Sequence, residues 1–320
     1  MELSNDVVNI FKPNRKCIIN ADLDGLLSGM ILQEFLEWEV VGFSSCCGKP
    51  DDELWLYDIE EDINDCVFVD LPVYFKEYST IDQHFVAFDK DSIEKYNSDG
   101  NKANPNIIRE RVFLDDKGNN QYTMKYPFGT IHFIIAVLEK MGIIPADYSF
   151  NFEKKLGDFD LADLILRADR VIGNTASYTP NCIDWLSWLV DLGGTNTRRL
   201  FEKVKNELMI RKISETKVEQ KMKELGCKGI DGDCSNLLRS KDYTLLGNYL
   251  NYLSDAIGLN PIPLKEINDF GKLTGKRYEV TNKNLNFLKE ESMKKNMFSF
   301  AFVTMRSLSV TYIEGVDFNE

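Results

Sequence analysis

Residues 16–29 read Lys-Cys-Ile-Ile-Asn-Ala-Asp-Leu-Asp-Gly-Leu-Leu-Ser-Gly: an apolar run, two aspartates one residue apart, and a glycine that opens a helical pattern. A short apolar run closed by a turn signal predicts a buried strand, and Leu26, Leu27, Met30, Ile31 and Phe35 then recur at helical spacing. A strand that feeds straight into a helix is the opening unit of an α/β sheet. Asp22 and Asp24 would stand at the carboxyl end of its first strand, where such sheets bind ligands. Two carboxylates there are hard oxygen donors suited to Mg²⁺ or Mn²⁺. The competing use of one of them is to cap the helix beginning near Gly25.

Two later segments end alike. Asp65-Cys-Val-Phe-Val-Asp70 closes on a carboxylate, and Ser79-Thr-Ile-Asp82-Gln83-His84 closes on acid, amide and imidazole. One acid at a strand end is ordinarily a turn residue; three strand ends carrying polar groups predict a shared site. Of the two histidines, His132 falls inside the apolar helical stretch Ile131 to Leu138 and reads as a packed residue. His84 is therefore the candidate functional histidine.

The order Asn20-x-Asp22-x-Asp24-Gly25, then Asp70, then Asp82-Gln83-His84, resembles the DHH phosphoesterase superfamily over roughly the first 180 residues. That superfamily includes RecJ-type exonucleases, oligonucleotide and nucleotide phosphatases, exopolyphosphatases and manganese pyrophosphatases. Asn104-Pro105, the helix after Tyr126-Pro-Phe-Gly-Thr130, and Leu156-Gly-Asp158 fall where the family has an Asn-Pro segment, a helix after its third motif and a fourth acidic motif. The resemblance implies a two-metal site for Mn²⁺ or Mg²⁺. In it Asp22 binds one ion, Asp24 the second, Asp70 bridges them, Asp158 completes the second site, and His84, in the triplet opened by Asp82, faces the substrate phosphate. Asn20 and Gln83 stand where the family has metal-binding histidines. An amide offers a carbonyl oxygen in place of a basic nitrogen, which implies weaker transition-metal binding and an easier use of Mg²⁺. Met305-Arg306-Ser307 resembles the family's substrate-gripping Arg-Ser pair, although no Gly-Gly-Gly-His loop follows.

The activity implied is metal-dependent hydrolysis of short single-stranded nucleic acid or small nucleotide phosphate esters. The alternative is a catalytically degenerate DHH-like subunit, acting as a binding or scaffold protein in a nucleic-acid-processing or defence complex.

At 320 residues the chain exceeds one ordinary core, and two domains are expected. Residues 1–192 would form the metal-binding α/β domain, a doubly wound, mostly parallel sheet. Residues 193–320 would form a helical linker and a smaller α+β substrate domain, the boundary lying near Asp191-Leu-Gly-Gly-Thr195. Gly193 and Gly194 read as a helix terminator, since no P-loop lysine follows. Strands are expected at Val40–Phe43, Leu54–Tyr57, Val67–Val69, Val86–Phe88, Phe298–Thr304 and Leu308–Ile313, and a connecting helix over Asn196–Leu225.

Charge narrows the partners. The net charge is −13, with 19 basic against 34 acidic side chains in residues 1–200 and 19 against 17 thereafter. An acidic first half argues against a long duplex lying across it and favours a short substrate held mainly by metal. The run Asp51 to Asp62 holds no basic residue and reads as a solvated edge around one strand, or as a face for a basic protein partner. Seven cysteines without a Cys-x-x-Cys pair indicate neither a zinc ribbon nor a disulfide framework. The first sixteen residues lack a signal-peptide core and no stretch is apolar enough to span a membrane, so a cytoplasmic location is expected.

Overall fold

A computed structural model of the chain describes residues 2–45, 52–74, 77–97, 99–157, 159–167, 178–210, 215–281, 283–291 and 297–313. The strands are β1 (Lys16–Asn20), β2 (Glu39–Ser45), β3 (Asp52–Leu56), β4 (Cys66–Val69), β5 (Ser79–Ile81), β6 (Lys102–Ala103), β7 (Lys155–Leu156), β8 (Phe159–Asp160), β9 (Asn268–Glu279), β10 (Met297–Thr304) and β11 (Ser307–Ile313). The helices are α1 (Asn5–Ile10), α2 (Leu23–Leu36), α3 (Lys90–Tyr96), α4 (Pro105–Ile108), α5 (Thr130–Lys140), α6 (Leu161–Arg167), α7 (Tyr178–Leu192), α8 (Thr195–Ile210), α9 (Glu215–Glu224), α10 (Ser235–Ser240), α11 (Tyr243–Ile257) and α12 (Leu285–Glu291).

One nine-stranded sheet runs in the order β10-β11-β9-β3-β2-β1-β4-β5-β6, and β7 and β8 form a small separate pair. From β2 to β6 every pairing is parallel; from β2 through β3, β9 and β11 to β10 every pairing is antiparallel. Connection length explains the change. The crossover from β1 to β2 carries the 14-residue α2, enough for a parallel return, whereas only residues 46–51 separate β2 from β3. The α/β class expected from the sequence holds, but the sheet is mixed in equal parts instead of mostly parallel.

Alternation along the strands divides the core. Cys17, Ile19, Val67 and Val69 face a helical layer that includes Leu27, Met30 and Ile31 of α2 and Ile134 and Val137 of α5. Ile18, Val41, Leu54, Leu56, Cys66 and Phe68 point the other way and meet Leu273 of β9 and Phe298 of β10. That face is covered by the far strands of the same sheet, which curls into a half-barrel. Val73, after β4, bridges Ser299 in β10; Tyr74 N donates to Phe298 O (2.8 Å) and Phe300 N to Pro72 O (3.0 Å). An aromatic cluster fastens this closure, with Phe85 stacked on Tyr96 (3.6 Å) and Phe113 on Phe302 (3.8 Å). Each fully buried ring contributes about 2–3 kcal/mol of apolar transfer energy.

Neither sheet nor core breaks at residues 192/193: β9–β11 join the same sheet, and Leu200, Leu238 and Leu253 belong to the cluster that holds Ile19. The diglycine does end a helix. α7 stops at Leu192, and the Glu139 carboxylate accepts the amides of Gly194 (2.9 Å), Asn196 (2.7 Å) and Thr197 (2.8 Å) at the start of α8.

Several local expectations change. Val86–Phe88 is no strand, only a bridge between Ala87 and Val112, because the Asp82 carboxylate bends the chain just before it. The acidic run does not edge the sheet: β3 lies between β2 and β9, with Asp52 buried and receiving Thr311 Oγ1 (3.2 Å), while Asp58 to Glu60 are exposed. β9 gives no apolar alternation and went unrecognised. Within the span expected as a connecting helix, α8 and α9 are helical, and residues 211–214 lie outside the described residues. Among the described residues no helix is long and apolar enough to cross a membrane, and Cys17, Cys66, Cys182, Cys227 and Cys234 are buried free thiols.

Candidate functional site

In a parallel sheet all carboxyl ends share one edge. β1 returns to β2 on one side and is flanked by β4 on the other, so the crevice beyond β1 and β4 is the point where strand order reverses. Asn20 and Asp22 follow β1, Asp70 follows β4, and Asp82, Gln83 and His84 follow β5.

The turn from β1 into α2 depends on Gly25, where a Cβ would lie 2.2 Å from the Asn20 carbonyl oxygen. Asp22 is the N-cap of α2, its Oδ1 accepting Gly25 N at 3.0 Å. Asp24, two residues on, caps a different helix. Its Oδ2 accepts Thr130 N (2.7 Å) and its Oδ1 accepts Ile131 N (2.9 Å), so it closes the first turn of α5 and is 1% exposed. Gly129 makes room for it, since a Cβ there would meet Asp24 Oδ2 at 2.7 Å. The two aspartates of one motif therefore anchor two helices, which accounts for their spacing without reference to metal.

Asp70 is the centre of the crevice. It is 1% exposed and has φ +59°, a left-handed backbone that costs a non-glycine residue on the order of 1 kcal/mol. That turn aims its carboxylate inward. Oδ1 accepts Thr130 Oγ1 (2.7 Å) and lies 3.2 Å from His84 Nε2; Oδ2 accepts Asn20 Nδ2 (3.1 Å). The same Asn20 nitrogen donates to Asp22 Oδ2 at 2.7 Å. One amide thus stands between two carboxylates.

Electrostatics separates that pair. Burial, then the charges of Asp70 and Asp24, push Asp22 well above the usual carboxylate range. Burial would raise Asp70 too, but the His84 charge and hydrogen bonds from His84, Thr130 and Asn20 outweigh it and hold Asp70 low. Burial dominates at Asp82, whose pKa is raised despite His84 and two backbone amides.

The segment after β5 is a braced turn. Asp82 accepts His84 N (2.9 Å), Phe85 N (2.8 Å) and Asn104 Nδ2 (3.2 Å). Asn106 Nδ2 donates to Gln83 O (2.9 Å) and Phe85 O (3.1 Å), and its Oδ1 accepts Tyr126 N (2.7 Å). Gln83 Nε2 stands 3.0 and 3.1 Å from the two ring nitrogens of His84, while Gln83 Oε1 is buried without a hydrogen-bond partner. His84, its side chain 29% exposed, is the group through which the cluster meets solvent.

Asp70, Asp82 and His84 each offer a ligand atom, and the three atoms lie within 4.8 Å of one another. Ligands on opposite sides of a divalent cation are about 4.2 Å apart, so a small contraction would let all three share one ion. Their two oxygens and one nitrogen suit Mn²⁺ better than Mg²⁺. The orphaned Gln83 oxygen beside them is a buried acceptor in want of a partner, and the residues fit a cation on both counts.

Other expected residues lie elsewhere. Asp158 is outside the described residues. Arg306 lies in the turn of the β10–β11 hairpin and Ser307 opens β11 beside it; the tip is held by Asn120 Nδ2 to Met305 O (3.3 Å) and Tyr122 Oη to Val303 O (2.6 Å), not by the carboxylate cluster. His132 is fully buried, accepts Gly129 N at Nδ1 (3.1 Å), and is held neutral by burial with a pKa of about 3. Thr130 and Asn106, which orient Asp70 and the His84 turn, gave no signal in the sequence beyond an ordinary helix start. Asp231 likewise went unnoticed: its carbonyl accepts Leu23 N (2.9 Å) and its charge adds to the push on Asp22. Set against protein-family models, curated proteins and solved structures, the chain matches none of them.

Proposed function

We propose that this chain is a divalent-metal-dependent phosphoesterase of the DHH type that its motifs resemble, acting on short single-stranded nucleic acid or small nucleotide phosphate esters. The observation that carries the reading is the convergence of Asp70, Asp82 and His84 at the crevice where the parallel strand order reverses. Those three residues would hold one cation, with Mn²⁺ preferred. The second ion of the resemblance would need Asp24 together with Asp158; Asp24 stands outside the Asp70, Asp82 and His84 group and Asp158 lies outside the described residues, so the proposal is a single-ion site. In this reading β2-β1-β4-β5-β6 is the counterpart of the family's doubly wound domain.

A bound divalent ion would polarise a phosphoryl oxygen and lower the pKa of a water. The chain's own groups do the rest. Thr130 and Asn20 fix the Asp70 carboxylate from both sides, and Asn104 and Asn106 hold the turn that presents His84. His84, partly exposed, is placed to touch a substrate oxygen. The amides at the start of α5 are spent on Asp24 and cannot bind phosphate.

A second reading, a subunit that keeps the scaffold without the chemistry, is favoured by one observation: the Asn20 amide already bridges Asp22 and Asp70. Calorimetric titration of Mn²⁺ into the wild type and Asp70→Asn, with turnover measured on 5′-labelled oligonucleotides and small phosphate esters, separates the two. Binding that Asp70→Asn abolishes, together with turnover, supports the phosphoesterase. Binding without turnover supports the scaffold, and equal binding by both proteins removes Asp70 from the site.

A further inference from the structure

In a chain of net charge −13, Arg109 and Arg111 lie side by side on one indole. The Arg109 guanidinium carbon is 4.4 Å from the Trp185 ring centroid and that of Arg111 is 5.6 Å from it. Trp185 is fully buried and anchored by Nε1 donating to Met124 O (3.1 Å), so the platform under both cations is rigid. Among the described residues one carboxylate, that of Asp184, faces them. Asp184 Oδ1 accepts Arg109 Nη2 (3.4 Å), and Oδ2 lies 3.0 Å from Arg109 Nη1 and accepts Arg111 Nη2 (3.2 Å).

The donors outnumber what that carboxylate can take. Among the described residues Arg109 Nη1, although close to Asp184, makes no aligned hydrogen bond, and Arg111 Nε has no acceptor. Unbonded buried donors are costly, and among the described residues two stacked guanidiniums share one half-exposed carboxylate. Arg111 responds accordingly: burial and then the neighbouring Arg109 charge lower its pKa. A dianionic phosphate monoester has three terminal oxygens that accept from both forks at once, where a carboxylate has two.

The place also matters. Arg111 N donates to Asn106 O (2.7 Å), and the Asn106 side chain holds the backbone of Gln83 and Phe85 on either side of His84. The arginine pair is one residue removed from the turn that carries the candidate metal ligand.

We infer that Arg109 and Arg111, stacked on Trp185, form a binding site for a terminal phosphate monoester, with Asp184 as the internal carboxylate that the phosphate displaces. The site rests on the arginine geometry and goes beyond the metal reading, and the two can fail separately.

The test uses the full chain in EDTA, so that no metal contributes. Inorganic phosphate is titrated by calorimetry, and a short oligonucleotide with either a 5′-phosphate or a 5′-hydroxyl is titrated by fluorescence anisotropy. Arg111→Gln is expected to weaken phosphate binding about tenfold or more, and Asp184→Asn, which removes the competitor, to tighten it about tenfold. Preference for the 5′-phosphate strand assigns the site to strand ends; equal strand binding with retained phosphate binding assigns it to free phosphate or mononucleotides. An ion pair that merely ties the α4 loop to α7 predicts lower melting temperatures for both variants and no gain of binding by Asp184→Asn. The inference is overturned if folded Asp184→Asn binds phosphate no better than wild type, or if neither binds at millimolar phosphate. Phosphate binding without Mn²⁺-dependent turnover would sink the phosphoesterase reading and leave this site standing.

Discussion

The two halves of the sheet are both packed with apolar side chains but differ in what their strand ends can collect. From β2 to β6 the strands run parallel, every carboxyl end opens on one edge, and Asn20, Asp22, Asp70, Asp82 and His84 meet there. From β3 to β10 they run antiparallel, and carboxyl ends alternate between edges. Arg306 and Ser307, at one hairpin tip, are thereby kept among loop residues such as Asn120 and Tyr122. The antiparallel half instead supplies packing: Phe298 fills the curl and Phe300 and Phe302 seal it against Phe85, Phe88 and Phe113. Parallel topology concentrates chemistry, and antiparallel topology here supplies the wall behind it.

The largest test of that division is Phe300→Ala. Its ring is 1% exposed and packs at 5.7 Å from Phe85 and 5.4 Å from Phe88, so truncation should cost about 3–5 kcal/mol in urea unfolding. Mn²⁺ affinity at 15 °C, where the variant remains folded, should stay within about threefold of wild type. A tenfold loss of metal affinity would show that the wall positions the site and that the halves are not separable in this way.

Asp70→Asn should do the reverse. Asparagine tolerates the left-handed backbone but sets an amide nitrogen against donors that the carboxylate accepts, so stability should fall by about 1–2 kcal/mol, less than for Phe300→Ala, while Mn²⁺ affinity falls by about 100-fold, some 2.7 kcal/mol. Unfolding curves and calorimetry on the same preparation decide it.

Asp24→Ala sharpens the comparison within the parallel half. Two buried amides at the start of α5 lose a charged acceptor, which predicts about 2 kcal/mol of destabilisation with Mn²⁺ affinity unchanged. A selective loss of metal binding with normal stability would instead restore Asp24 as a ligand.

The smallest effect is at Lys102 in β6, where burial lowers the ammonium to a pKa of about 7 while Nζ donates to Tyr78 O (2.5 Å). Between that value and the ordinary lysine value of 10.5 the unfolded chain holds a proton that the folded chain has released. Stability therefore rises with pH across this window. Relative to Lys102→Met, wild type should gain about 1 kcal/mol from pH 7 to pH 8 in urea titrations. Parallel curves for the two proteins would mean that Lys102 keeps its proton.

Much of the first half was legible because its signals are local. The apolar run into Asp22 gave β1 and α2, and His132, surrounded by apolar residues at helical spacing, was correctly read as packed. The short acidic-ended runs gave β4 and β5 and placed Asp70 and Asp82 at their ends. The polar β9 could not be found that way. Asn268 to Glu279 contains two glycines and little alternation, and it becomes a strand only because β3 and β11 complete its ladder from both sides. For the same reason the acidic β3 looked like an edge until a partner from the last fifth of the chain was in place.

What the sequence determined by itself was the residue inventory at three strand ends and the α/β order that brings those ends to one edge. It also carried both uses of the Asp22/Asp24 pair, ligand and cap, without deciding between them. Only the tertiary structure decided, because Asp24 meets its partners 106 and 107 residues away at the start of α5, and Asp70 meets Thr130 across 60. A carboxylate's local neighbours set what it is able to bind; the donors that reach it first through the fold set what it does bind.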